Sequence, residues 1–172
     1  MFLSTTNCVP KWFIPHKESD AIYEGQNLVP NGGIEILDNG QPARWNHQGK
    51  CAVGAPGFQS GYALTMDVSD QDNPTQWETQ IDLIKPNTKY VISFWYRLPE
   101  KGRMELLIFG KNLPITEMFR YNPMHWCCYS AIVDSGEFNG KCMISFLAKQ
   151  GVGRLKFWID QIELYEDESP IG

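Results

Sequence analysis

The sequence has no apolar run long enough to cross a bilayer. The longest, such as Val91-Ile92-Ser93-Phe94-Trp95-Tyr96, fall far short of the about 20 residues a spanning helix needs. It has no excess of basic residues. Lys and Arg total 15 against 20 Asp and Glu, a net charge of −5, which argues against a cationic surface for nucleic acid. The opening Met1-Phe2-Leu3-Ser4-Thr5-Thr6-Asn7-Cys8 contains no basic segment followed by an apolar stretch, so no signal peptide is visible. Histidine is scarce. His16, His47 and His125 lie in unlike segments, and G-x-S-x-G, H-E-x-x-H and G-x-x-x-x-G-K are absent, which removes the common hydrolase, metalloprotease and nucleotide-binding signatures. No C-x-x-C pair exists among Cys8, Cys51, Cys127, Cys128 and Cys142, so a zinc knuckle is excluded. An odd cysteine count leaves at least one thiol unpaired. The expectation is five reduced, buried cysteines behaving as small apolar side chains, made in a reducing cytoplasm. No stretch sustains an apolar period of a helix.

Aromatic residues are abundant at 13%, with Trp 6, Tyr 7 and Phe 9, and hydrophobic residues at 42% suffice for a core. The length of 172 residues suits one domain. Residues 1–26 are punctuated by Pro10, Pro15 and Gly25 and read as an extended arm carrying the apolar patch Trp12-Phe13-Ile14. Residues 27–166 read as short strands separated by turns, and 167–172 as a short acidic tail. Tyr62, Leu64, Met66 and Val68 share one strand face by alternation; Trp77, Thr79, Ile81 and Leu83 share another. Tyr90–Leu98 is the strongest strand, rich in β-branched and aromatic residues. On it Ile92 and Phe94 face a core while Ser93, Trp95 and Arg97 point away. Further strands fall at Arg103–Gly110, His125–Val133, Lys141–Lys149 and Arg154–Tyr165, with breakers at Asn39-Gly40, Ser135-Gly136 and Asn139-Gly140. Such spacing predicts an all-β sandwich.

Several segments resemble carbohydrate-binding modules of the 4/9/22 type. Asn27-Leu28-Val29-Pro30-Asn31-Gly32-Gly33-Ile34-Glu35 is similar to their opening strand, and Asp38-Asn39-Gly40-Gln41-Pro42-Ala43-Arg44-Trp45 to the loop that follows. Gln59-Ser60-Gly61-Tyr62-Ala63-Leu64, Pro86 to Arg97 and Trp158-Ile159-Asp160-Gln161-Ile162-Glu163-Leu164 resemble later strands of the family, in order. The resemblance implies a two-sheet antiparallel β-sandwich with jelly-roll topology, of the galactose-binding-like kind. It also implies non-catalytic binding of a polysaccharide or cell-surface glycan, and a structural calcium ion. Its ligands would be the Gly33 carbonyl, Glu35, Gln59, the Tyr62 carbonyl and Asp160, a mix of hard oxygens that suits calcium. Alternatively, Glu35 and Asp160 accept backbone N–H groups without a metal.

A glycan platform needs flat rings with polar companions. Trp95 and Arg97 are the residues that parity turns outward, and Arg103, Glu105 and Tyr129 are candidates for the same face. By resemblance, Trp77 is a platform ring with Gln80 as its polar companion, although parity sets Trp77 beside Ile81 and Leu83. Phe119 is the nearest candidate for a second platform. Trp45 reads as a structural plug, Trp126 as core with Cys128 and Ile132, and Trp158 as either. Catalysis is not expected of so compact a sandwich. The runner-up reading is a bacteriophage virion subunit, a capsid decoration or tail protein, in which Trp12, Phe13 and Ile14 hold a neighbouring chain. Either role works outside the cell or on a virion surface, with neither nucleic acid nor a membrane as partner.

Overall fold

The computed structural model describes residues 22–23, 25–67, 74–99, 101–116, 125–150 and 156–168. Trp12, Phe13, Ile14, Val68 and Phe119 lie outside them. The elements, in chain order, are β1 (Leu37–Asp38), β2 (Gln41–Pro42), β3 (Asn46–Gln48), β4 (Lys50–Gly54), β5 (Ala63–Asp67), β6 (Thr75–Ile84), β7 (Lys89–Arg97), β8 (Arg103–Ile108), β9 (Lys111–Thr116), β10 (Cys127–Asp134), β11 (Gly140–Gln150) and β12 (Phe157–Glu166). Apart from the β1–β2 ribbon they form two five-stranded sheets, β10-β7-β12-β5-β4 and β3-β6-β11-β8-β9, every pairing antiparallel. We call the first the front sheet and the second the back sheet. The expected two-sheet sandwich is therefore what the chain forms.

Alternation builds the core. Ile92, Phe94 and Tyr96 of β7 and Ile144 and Phe146 of β11 turn inward and are buried. The Phe94 ring meets Phe146 edge-on, centroids 5.0 Å apart, and joins the sheets. Each such side chain contributes roughly 1.5–3 kcal/mol on burial. Trp77 spans the same gap: its indole N–H donates to the Thr65 carbonyl at 2.9 Å. Trp45, the expected plug, is buried and donates its indole N–H to the Asn31 carbonyl.

Segments far apart in sequence close the sandwich. Asn27 donates to the Ile162 carbonyl at 2.9 Å, and its Oδ1 accepts the N–H groups of Val29 and Leu164. Gly32 lies so close to Ile162 that a Cβ there would collide with the Ile162 carbonyl. This contact requires glycine.

The structure corrects some sequence expectations. Leu64 and Met66 are buried, but Tyr62 lies before the strand and is exposed. In β6 Trp77 and Ile81 are buried and Leu83 is 78% exposed, because the register with β11 shifts between Gly140 and Cys142 and hands the inward position to Ile84. Leu83 takes φ 64° at this bulge. β9 contains Pro114 and is the edge of the back sheet, where a missing N–H is tolerated. Arg103 and Glu105 sit on β8 in the back sheet, away from Trp95. Cys128 is disulfide-bonded, while Cys51, Cys127 and Cys142 are free, so the five thiols are not all unbridged.

Candidate functional site

The outer face of the front sheet gathers aromatic rings around a cation. Arg97 pairs with Trp158 across β7 and β12. Trp126 sits one residue before Cys127, which pairs with Tyr96 across β7 and β10. The three side chains therefore form one row over neighbouring strands, all half-buried. The Arg97 guanidinium carbon lies 4.9 Å from the Trp126 ring centre and 4.6 Å from that of Trp158. Both are cation–π distances. The two indoles meet edge-on at 6.4 Å. Gly54 on β4 makes room for Trp158, since a Cβ there would come within 2.6 Å of the ring.

One residue pair further along, Trp95 opposes Cys128 on one side and Asp160 on the other. Phe58 reaches over from the loop between β4 and β5 and stacks on Trp95, centroids 3.8 Å apart and planes 10° from parallel. It also meets Trp126 edge-on at 5.7 Å. Asp160 fixes this arrangement. It is fully buried, and Oδ2 accepts the Phe58 N–H at 2.8 Å and the Ser60 hydroxyl at 2.6 Å, while Oδ1 accepts the Gln161 N–H. Gln161 then donates its side-chain amide to the Phe58 carbonyl at 2.6 Å. Gly57 is needed beside it, because a Cβ would collide with Asp160 Oδ2, Ser60 Oγ and the Tyr62 carbonyl.

Two donors in this cluster, Trp95 Nε1 and Arg97 Nε, are buried without a hydrogen-bond partner among the described residues. Burial also pushes the Arg97 guanidinium down from its usual value, with no opposing charge effect. Elsewhere burial raises thiols out of reactivity, Cys51 up to about 12.

Of the residues singled out from sequence, Trp95 and Arg97 lie on this face as parity predicts. Trp77 does not. It is fully buried between the sheets, and the bulge that would have turned it outward lies at Leu83 instead. Gln80 is exposed on the far side of the back sheet, donating to Asp82. Tyr129 pairs with Phe94 and stacks on it at 5.1 Å, on the core side of the front sheet. Trp126 corrects the other way: it keeps the parity of Cys128 and Ile132, but that parity faces out, with Ile132 53% exposed. Phe58 and Trp126 were missed. Trp158 joins them on the outside because its neighbours Phe157 and Ile159 are the buried pair.

The calcium residues are brought to the two ends of one loop. Asp160 Oδ2, Ser60 Oγ and the Tyr62 carbonyl crowd around Gly57. Glu35 Oε1 accepts the N–H groups of Gly61 and Tyr62 at 2.9 and 3.0 Å. Gln59 is exposed, at φ 49°, and Gly33 is buried. Both acids therefore carry hydrogen bonds from the loop.

No protein-family model and no curated protein sequence matches the chain. Solved structures do. A family 61 carbohydrate-binding module, TmCBM61, determined with β-1,4-galactotriose, superposes with a TM-score of 0.63 at 16% identity, over 83% of this chain and 100% of that one. The enzymatically active domain of tailspike protein 4 of bacteriophage CBA120 gives 0.60 at 12% identity, over 83% of this chain. The present chain spans only 22% of that tailspike chain. A cyclase from Fischerella sp. TAU gives 0.60 at 14% identity, over 92% of this chain and 98% of that one. At these identities the likeness is one of architecture. The chain has the jelly-roll sandwich fold that carbohydrate-binding modules share with other proteins.

Proposed function

We propose that the protein is a non-catalytic carbohydrate-binding module whose site is the outer face of the front sheet. One observation carries this reading. Phe58, Trp95, Trp126 and Trp158 are gathered half-buried on one sheet face around the Arg97 guanidinium, which pairs with no acid among the described residues. Rings serve the C–H faces of a sugar, and a guanidinium serves its oxygens. The superposed module with bound galactotriose supports the class of ligand. Asp160, the acid nearest the rings in the strand ladder, is committed to the loop, which favours binding over hydrolysis.

The test is a titration against soluble polysaccharides with reducing ends assayed in the same mixtures. Phe58→Ala and Trp126→Ala should each weaken binding roughly tenfold or more. Circular dichroism should stay unchanged and no new reducing ends should form. Full affinity in both variants would defeat the site.

The tailspike likeness supports a second reading, a virion component that uses the same face for host glycans. Trp12, Phe13 and Ile14 would then anchor the neighbouring subunit.

Calcium is a separate proposal. Asp160, Ser60 and the Tyr62 carbonyl would hold it beside Gly57, with Glu35 completing the loop, and its charge would tie the loop more firmly to β12. The melting temperature should rise on adding millimolar calcium and fall back with a chelator. An unchanged melting temperature retires the ion and leaves the hydrogen bonds to hold the loop alone.

A further inference from the structure

We infer that the ligand of this face is an acidic saccharide, a uronate whose carboxylate docks on the guanidinium of Arg97; this rests on the reading of the face as a sugar site. Arg97 is a desolvated cation that pairs with no carboxylate among the described residues. Its guanidinium carbon lies 4.9 and 4.6 Å from the ring centres of Trp126 and Trp158, which stand 6.4 Å apart and make a corner beside it; the rings attract the cation but supply no anionic acceptor. Its Nε has no hydrogen-bond partner among the described residues.

The carboxylate nearest in the ladder does not serve. Asp160 lies opposite Trp95 and turns its oxygens to Phe58 N–H, Ser60 hydroxyl and Gln161 N–H. A guanidinium set beside two rings, with no ion pair to a described residue, keeps planar donors at fixed spacing for a ligand. The matching acceptor is a carboxylate, whose two oxygens lie in one plane at that spacing. A neutral sugar would fill the rings and leave the charge uncompensated. An acidic one places its ring on Phe58 or Trp126 and its charge on Arg97. The protein's net charge of −5 offers such a ligand no general attraction, so the preference has to come from this one residue.

The experiment compares each acid with its own methyl ester, which keeps the sugar and removes the charge. Oligogalacturonate, oligomannuronate and a glucuronate-containing oligosaccharide are titrated by calorimetry, beside neutral galactan, on the full chain. At least one acid should bind roughly ten- to a hundredfold tighter than its ester, with the advantage shrinking as salt rises. Arg97→Gln should bind that acid and its ester alike. Arg97→Lys, which keeps the charge and loses the planar edge, should recover only a minor part of the preference. Melting curves check that both variants fold. Acid and ester binding equally to the native chain overturns the inference while leaving a neutral-sugar site standing. Binding to neutral galactan and to none of the acids does the same. No binding to any member of the panel defeats the inference and the sugar reading together.

Discussion

Asp160→Ala should cost more stability than any other substitution on the outer face of the front sheet, and it should abolish the proposed glycan binding with it. The carboxylate is fully buried and takes hydrogen bonds from Phe58 N–H at 2.8 Å, Gln161 N–H at 2.7 Å and the Ser60 hydroxyl at 2.6 Å. Alanine removes the acceptor and leaves buried backbone donors with nothing to bond. Donors orphaned in this way cost about 1–3 kcal/mol each, so the sum is about 3–5 kcal/mol. Asp160→Asn keeps the shape but offers one amide N–H where an acceptor is needed, and should lose roughly half as much. Chemical denaturation followed by tryptophan fluorescence measures both. The functional loss follows from the geometry: Phe58 lies over Trp95 only while its N–H and carbonyl are held by Asp160 and Gln161. A loss under about 1 kcal/mol for Asp160→Ala would mean that the loop is held by other contacts.

How much of this was legible in the sequence depended on whether a strand has one apolar side or two. In β7 the alternation is clear, because Ser93 and Arg97 mark the outside and Ile92 and Phe94 the inside. Trp95 and Arg97 were therefore assignable without coordinates. In β10 it is not. Cys127, Tyr129, Ala131 and Val133 alternate with Cys128, Ser130 and Ile132, and both sets are largely apolar. Composition gives no direction there, so Trp126 and Tyr129 were each assigned to the wrong side. Their register with β7, set by the pairing Tyr129 to Phe94, decides it. Phe58 illustrates a different limit. It lies in a loop with no periodicity, and only the long-range bond from its N–H to Asp160, 102 residues away, brings it to the rings. The one usable signal was the Asp160 side chain in the closing strand, between the apolar Ile159 and Ile162, read as a metal ligand when it is in any case a loop anchor. The sandwich itself was legible because the motifs at 27–35 and 158–164 had to meet, and Asn27 joins them.

Trp77→Ala separates a binding ring from a structural one most sharply. The family resemblance makes Trp77 a platform; the structure buries it completely and gives its indole N–H to the Thr65 carbonyl across the sandwich. The substitution should therefore unfold the protein or leave it much less stable, by about 3–5 kcal/mol from the cavity alone. The Thr65 carbonyl loses its partner as well, which adds about 1 kcal/mol. For a domain of this size that is a large share of the total stability. Trp77→Phe fills most of the volume and should lose only the smaller part. The contrast with Trp126→Ala carries the discrimination: Trp126 is half-buried outside the core, so its loss should leave the melting temperature nearly unchanged while affinity falls. A Trp77→Phe chain that melts somewhat lower but binds glycan with native affinity would place the site on the front sheet. Native stability in Trp77→Ala with affinity gone would return it to β6, because a ring that can be removed without cost to the fold cannot be the one that bridges the sheets.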